Sequence, residues 1–180
     1  MPLTGPLATS NGLHPGPPWI EYNMPMPQLR PADLDDPRIV SMLLDHVSRA
    51  LAETAKGCGH ALDAETLRTP DITLWSIWDE DELLGLGALK RLSADHGELK
   101  SMYTAPTTRR SGIGSTMLRH LISEARAAGM ARLSLETGSW PYFDAARAFY
   151  RRHGFEECSA FGGYEPGDHS VFMTMTLSPQ

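Results

Sequence analysis

Residues 98–114 read Glu98-Leu99-Lys100-Ser101-Met102-Tyr103-Thr104-Ala105-Pro106-Thr107-Thr108-Arg109-Arg110-Ser111-Gly112-Ile113-Gly114. The first seven read as a strand, Glu98–Thr104, closed by Ala105-Pro106. Beyond the loop, Ile113, Met117, Leu118, Leu121, Ile122 and Ala125 recur at helical spacing, which predicts a helix over Gly112–Ala128 with Gly129 as its C-cap. Between strand and helix lies a short loop with two arginines. The first turn of a helix has free N–H groups and the positive end of the dipole. Gly112 and Gly114 remove the side chains that would keep an anion from that backbone, so the segment suits a phosphate or pyrophosphate. The P-loop pattern is absent, since no lysine follows either glycine, and neither Gly57/Gly59 nor Gly85/Gly87 supplies the third glycine of a dinucleotide fingerprint. On spacing alone, a tight turn with solvated arginines is an equal reading.

Upstream, Ile72–Trp78 and Leu83–Arg91 are rich in β-branched, aromatic and aliphatic residues. They flank Asp79-Glu80-Asp81-Glu82, an acidic connection that cannot be buried, so a hairpin is predicted. Earlier, Asp36-Pro37 reads as an N-cap followed by the first helical residue. Val40, Leu43, Leu44, Val47 and Leu51 then predict an amphipathic helix over Pro37–Thr54. A short strand at Gln28–Arg30 precedes it, and a helical turn within Asp63–Arg68 follows. Downstream, Leu133 and Leu135 mark a strand over Ala131–Thr137. Asp144–His153 reads as a helix stopped by Gly154. Phe155–Ser159 and Ser170–Leu177 are the last strands, the second with Val171, Met173, Met175 and Leu177 on one face.

No repeat or interior linker divides residues 28–180, which are expected to form one α/β domain with a mixed sheet. Residues 1–27 hold Pro2, Pro6, Pro15, Pro17, Pro18, Pro25 and Pro27 and read as a flexible extension. The alternative is an arm that packs on a partner through Trp19, Ile20 and Tyr22.

The bulk composition narrows the function classes. Apolar residues make up 41% and charged residues 21% of the 180, the balance of a globular domain with a core. A formal charge of −6 argues against nonspecific nucleic-acid binding, which neutralises phosphates with Lys and Arg. No stretch approaches the roughly 18 consecutive apolar residues of a membrane span. Met1–Pro18 lacks the basic and apolar regions of a signal peptide, so the expected address is cytoplasmic. Cys58 and Cys158 are read as two free thiols. The seven histidines show no metal-ligand spacing, so no metal is expected.

Arg109-Arg110-Ser111-Gly112-Ile113-Gly114 resembles the Q/R-x-x-G-x-G/A motif of the GNAT acetyltransferases. The likeness extends through Glu98-Leu99-Lys100-Ser101-Met102, Leu135-Glu136-Thr137-Gly138 and Ala148-Phe149-Tyr150-Arg151-Arg152-His153-Gly154-Phe155. The end, Phe161-Gly162-Gly163-Tyr164 with Ser170-Val171-Phe172-Met173, is similar to a subgroup of small single-domain bacterial enzymes. Together these motifs cover about Gln28 to Leu177. The resemblance implies an α/β (α+β) GNAT fold, with a mostly antiparallel six- to seven-stranded sheet splayed between two parallel strands and flanked by helices. It also implies acetyl-CoA as cosubstrate and transfer of the acetyl group to a small-molecule amine. The alternatives are an N-acetyltransferase of proteins or peptides and a non-catalytic acyl-CoA sensor.

The resemblance further implies roles by position. Backbone groups of Met102, Tyr103 and Thr104 would pair with the pantetheine arm, chiefly those of Met102 and Thr104. One of these N–H groups would polarise the thioester carbonyl. The pyrophosphate would sit on the amides of Arg110, Ser111, Gly112, Ile113, Gly114 and Ser115, with Arg109 and Arg110 adding charge-assisted contacts. Tyr150 matches the family's tyrosine that donates to the departing sulfur. Glu98 matches a glutamate that some members use as base, and an ion pair with Lys100 is an equal reading. His60 and His96 are left outside the catalytic set. Phe143 stands where many members carry Asn or Gln against the CoA arm. A homodimer is a further expectation, with Trp19, Trp140 and Phe161 as candidate contacts.

Overall fold

The computed structural model describes residues 27–52 and 66–178. The strands are β1 (Gln28–Pro31), β2 (Ile72–Asp79), β3 (Glu82–Arg91), β4 (His96–Thr104), β5 (Arg132–Gly138), β6 (Glu156–Cys158) and β7 (Ser170–Thr176). The helices are α1 (Pro37–Ala52), α2 (Ile113–Ala127) and α3 (Asp144–Arg152). The strands form a single sheet in the order β1-β2-β3-β4-β5-β7-β6. All its pairings are antiparallel except β4 with β5, which α2 connects as a crossover. The predicted elements recur with ends shifted by one or two residues. The Pro-rich extension, Trp19, Cys58 and His60 lie outside the described residues.

Local chemistry accounts for the element ends. Asp36 caps α1, its Oδ1 accepting the Arg38 N–H at 2.8 Å, with Pro37 at the first helical position. Asp79 pairs with Glu82, so Glu80 and Asp81 make the tip of the hairpin. Gly129 and Gly154 close α2 and α3 with left-handed φ of 76° and 89°.

The sheet has two different faces. Against one face pack Met117, Leu118, Leu121, Ile122 and Ala125 of α2, with Leu99, Leu133, Leu135 and Met173 from the strands, Leu177 just after β7, and Tyr150 and Phe155 from the α3 region. Leu118 and Leu121 have no exposed surface, and truncating either to Ala costs about 2–5 kcal/mol. Against the other face packs α1, with Ile39 and Leu43 meeting Leu74, Trp78, Leu86 and Ala88.

The phase of α1 departs from the sequence expectation. Ile39 and Leu43 are buried, while Leu44 and Leu51 are 60% and 49% exposed. Apolar residues cover two adjoining faces of this helix, so its own periodicity cannot select one; contact with the sheet does. No helix of the described residues is long and apolar enough to cross a membrane.

Candidate functional site

β4 and β5 pair only from His96↔Arg132 to Leu99↔Leu135. Beyond that point β4 continues to Thr104 and β5 to Gly138 without pairing to each other. The two strands thus diverge, and the β5-facing backbone of Lys100–Thr104 has no strand partner. An extended ligand arm can add there as a strand would.

A bulge re-aims β4 at this opening. Register shifts between Leu86 and Ala88 of β3, which pair with Tyr103 and Lys100, so Ser101 and Met102 together face Gly87. Ser101 takes a positive φ of 51°. Before the bulge, Leu99 packs on the α2 face, while Glu98 and Lys100 take the other. After it, Met102 packs on the α2 face again, and Tyr103 turns to α1. Without the extra residue those two side chains would exchange faces.

The loop after β4 is braced internally. Ala105 N–H donates to the Leu84 carbonyl, and the Ser111 hydroxyl donates to the Thr108 carbonyl at 2.6 Å. Ser111 therefore closes the loop with its side chain. Gly112, with φ 91°, is the N-cap of α2; no side chain caps that end and no acidic residue lies in its first turn. The first intrahelical bond runs from Thr116 N–H to the Gly112 carbonyl, leaving the amides of Ile113, Gly114 and Ser115 free to bind an anion. Arg109 and Arg110 flank this end and are both exposed. The Arg109 guanidinium lies 5.9 Å from the Tyr103 ring centre.

Glu98 is 2% exposed. Its Oε1 accepts hydrogen bonds from Lys100 Nζ at 2.7 Å and from the Tyr164 hydroxyl at 2.6 Å. Lys100 also donates to the Tyr164 oxygen at 2.6 Å. The ion-pair reading of Glu98 thus has its partner in place. Burial, then the Glu98 carboxylate, pushes the Tyr164 hydroxyl far above its ordinary pKa, with Glu136 adding to the shift. Glu136 itself accepts the Ser170 hydroxyl at 2.7 Å.

Tyr150 is buried among Phe149, Phe155 and α2, and burial raises its hydroxyl well above the ordinary phenol value. Phe149 beside it approaches Gly114: a Cβ there would stand 3.7 Å from its ring. Phe143 lies flat on Gly138 at the end of β5, leaving no room for a side chain at that glycine. Arg147 donates to the carbonyls of Gly138 and Trp140 and pairs with Asp144, fixing the turn between β5 and α3.

Three other groups lie around this site. His96 is buried at the base of the split, bonded to Ser134 and Arg132 and away from the opening. Trp140 stacks on His169, and Phe161 packs on Tyr164 and Phe172, so these two of the three candidate dimer contacts are engaged within the chain. Cys158 is a free thiol. No cluster of three metal-ligating side chains occurs among the described residues.

Sequence reasoning missed Tyr164 and the α1 residues facing Tyr103. The Tyr103 hydroxyl donates to Asp45 Oδ2 at 2.5 Å, and Arg49 holds the same carboxylate at 2.9 Å. His46 sits against the Tyr103 ring, centres 4.9 Å apart. A groove of about 600 Å³ runs between α1 and the end of β4, lined by Arg38, Ser41, Met42, Asp45, Tyr103 and Pro106. Tyr164 is sixty-six residues from Glu98 in the chain. The available signal for His46 was a histidine seven residues after Ile39, on the same helical stripe.

Comparison with known proteins matches residues 39–155 to the model of the acetyltransferase (GNAT) family. The chain is 43% identical over 145 residues to YedL, an uncharacterised N-acetyltransferase of Escherichia coli strain K12, covering 81% of this chain and 91% of that one. It is 44% identical over 145 residues to YsnE, an uncharacterised N-acetyltransferase of Bacillus subtilis strain 168, covering 81% and 96%. Among solved structures, one assigned as an acyl-CoA N-acyltransferase from Klebsiella pneumoniae superposes with a TM-score of 0.68. It is 27% identical and covers 85% of this chain and 99% of that chain.

Proposed function

The chain belongs to the acetyltransferase (GNAT) family, and from that premise we propose that it moves an acetyl group from acetyl-CoA to the primary amine of a small molecule. The observation that carries this reading is the divergence of β4 and β5 after Leu99 and Leu135 beside an uncapped helix end. One feature suits an extended arm, the other its pyrophosphate, and they are joined by only the loop 105–112.

In this reading the pantetheine pairs with the β4 backbone at Met102 and Thr104, and Tyr103 forms the wall between cofactor and acceptor. The pyrophosphate lies on the amides of Gly112–Ser115, with Arg109 and Arg110 beside it. The amine attacks the thioester carbonyl directly from the α1 face. Tyr150 donates its proton to the departing thiolate and takes one back from the amine nitrogen; its raised pKa keeps the phenol protonated at neutral pH. Of the two roles open to Glu98, the pairing with Lys100 is the one its contacts support. The groove of about 600 Å³ between α1 and the end of β4 is of a size that suits a small acceptor.

The test is acetyl-CoA turnover, followed as thiol release, across small amines and N-terminal peptides. Turnover of small amines is the expected result. Peptides alone being acetylated would reassign the acceptor, and cofactor binding without turnover of any acceptor would mark a sensor.

A further inference from the structure

The sheet-facing stripe of α1 runs Ile39, Leu43, His46, at spacings of four and three residues. The first two bury against the sheet. The third position, where the stripe calls for another aliphatic residue, holds an imidazole. Burying a polar ring costs free energy unless a hydrogen bond compensates, and His46 makes none with the described residues. Among the described residues its ring contact is with Tyr103. The fold gains little from a histidine here.

Its place explains it better. Tyr103 stands between Met102 and Thr104, whose backbone borders the opening between β4 and β5. One turn further along α1, Arg49 lies within electrostatic reach of Tyr142, in the turn that follows β5. α1 thus runs past the β4 side of the opening, and His46 lies on its inner face against Tyr103.

The neighbouring groups leave the proton-accepting role vacant. Asp45 is held by Arg49 and Tyr103, and Glu98 by Lys100 and Tyr164. Glu136 accepts the Ser170 hydroxyl. His96 is bonded through both ring nitrogens, and His153 Nδ1 meets the Phe149 carbonyl on the other face.

We propose that His46 is the base that takes a proton from the acceptor ammonium. This rests on the acetyl-transfer reading above. The ammonium gives one proton to the neutral ring, and the amine nitrogen then forms the C–N bond as the carbonyl π pair moves to oxygen. On collapse the C–S bond breaks, the sulfur takes the Tyr150 proton, and the nitrogen's second proton returns to the tyrosinate. The products are the amide, CoA thiol and one proton, which the imidazolium releases to water. Among the described residues, Asp45 and Arg49 on the same helix, Tyr103 on β4, Arg109 after it and Tyr142 after β5 are the charged or titratable groups around this part of α1. Burial lowers the His46 pKa and outweighs the opposing pull of Asp45, so the ring is neutral and able to accept at pH 7.

The experiment compares the full chain with His46→Gln and His46→Ala, using acetyl-CoA with spermidine, lysine, glutamate and phenethylamine. The ratio of parent to variant kcat/KM compares reaction of the ammonium, deprotonated by the ring, with reaction of the free amine alone. It should reach about a hundredfold near neutral pH, within the range of a positioned base. It should fall toward one as pH rises toward the amine's own pKa and free amine, which needs no base, becomes abundant. Added imidazole should restore part of the His46→Ala activity, and CoA affinity should hold. A ratio that stays near one, or a loss that is flat with pH and not rescued by imidazole, overturns the assignment and leaves His46 a packing residue for Tyr103. A parent that acetylates no acceptor overturns the proposed function and this inference with it.

Discussion

Tyr150 packs its ring edge-on to Phe149 and Phe155, at centre distances of 5.3 and 5.7 Å. Removing only its hydroxyl keeps that packing, so Tyr150→Phe should leave the melting temperature and CoA affinity nearly unchanged. The loss should fall on kcat, by about a hundredfold, because the donated proton is needed only as sulfur departs. A more acidic acetyl thioester should restore the variant, since its thiolate needs less protonation. Near-parental kcat on acetyl-CoA with chemistry limiting would give the proton to water instead. Glu98 invites the opposite outcome. Its carboxylate and the Lys100 ammonium are 3% and 11% exposed in their side chains, so Glu98→Gln leaves a buried cation without its counter-charge. Stability should fall by up to about 3–5 kcal/mol, read by denaturant unfolding, while the pH–rate curve keeps its parental shape. A curve that collapses at neutral pH and recovers in alkali would make Glu98 the base and displace His46.

At the scale of elements, the uncapped end of α2 should dominate cofactor binding, and its two glycines separate strain from ligand approach. Gly112 has φ 91°, so Val there strains the backbone although open space surrounds the added carbon. Gly114 has no such φ, and a Cβ would meet Thr104 and Phe149 at 3.4–3.7 Å, ordinary contact. Gly114→Val should therefore fold normally and lose at least about tenfold in CoA affinity, 1.4 kcal/mol, by crowding the phosphate. Unchanged binding by calorimetry would move the pyrophosphate elsewhere. Binding by the parent should also weaken with added salt through Arg109 and Arg110. This element was legible in the sequence because its signals are local: arginines, glycines and helical spacing within one short run. The bulge at Ser101 was not, since only pairing with Gly87 reveals the extra residue. The phase of α1 was hidden for a related reason: which of two apolar faces turns inward depends on a sheet made from distant residues. His46 and the Tyr164 contact of the Glu98–Lys100 pair stayed hidden with them.

Across the molecule, the sheet separates two environments that meet where β4 and β5 diverge. The α2 face is continuous apolar core, while the other face carries polar groups from β4, β5 and β7 below the opening. His96 anchors that polar layer. Arg132 can only donate, so His96 Nδ1 must accept from it, at 3.1 Å, and Nε2 carries the hydrogen that reaches Ser134 Oγ at 2.8 Å. Ser134 continues to Thr174 at 2.8 Å, tying β4, β5 and β7 together where the strands are still paired. Protonating Nδ1 would set a donor against a donor and a cation beside the Arg132 guanidinium. Burial first, then Arg132, accordingly hold the His96 pKa below its ordinary value, and Asp95 and Glu98 only partly oppose them. Because the folded value lies below the unfolded one, the unfolded chain binds more protons in the interval between them, and stability rises with pH there. It should be fully present above about pH 6.5 and decline as pH falls toward the folded value, by at most about 1.4 kcal/mol per pH unit for this one proton. His46, lowered in the same direction, adds to the slope, so the His96 share is read as a difference. His96→Gln should be less stable than the parent at pH 7, and its unfolding free energy should depend less on pH between about 7 and 5. Parallel curves for the two chains in denaturant titrations across that window would show that His96 titrates alike in the folded and unfolded states, and the polar layer would then hold without the constraint on its ring.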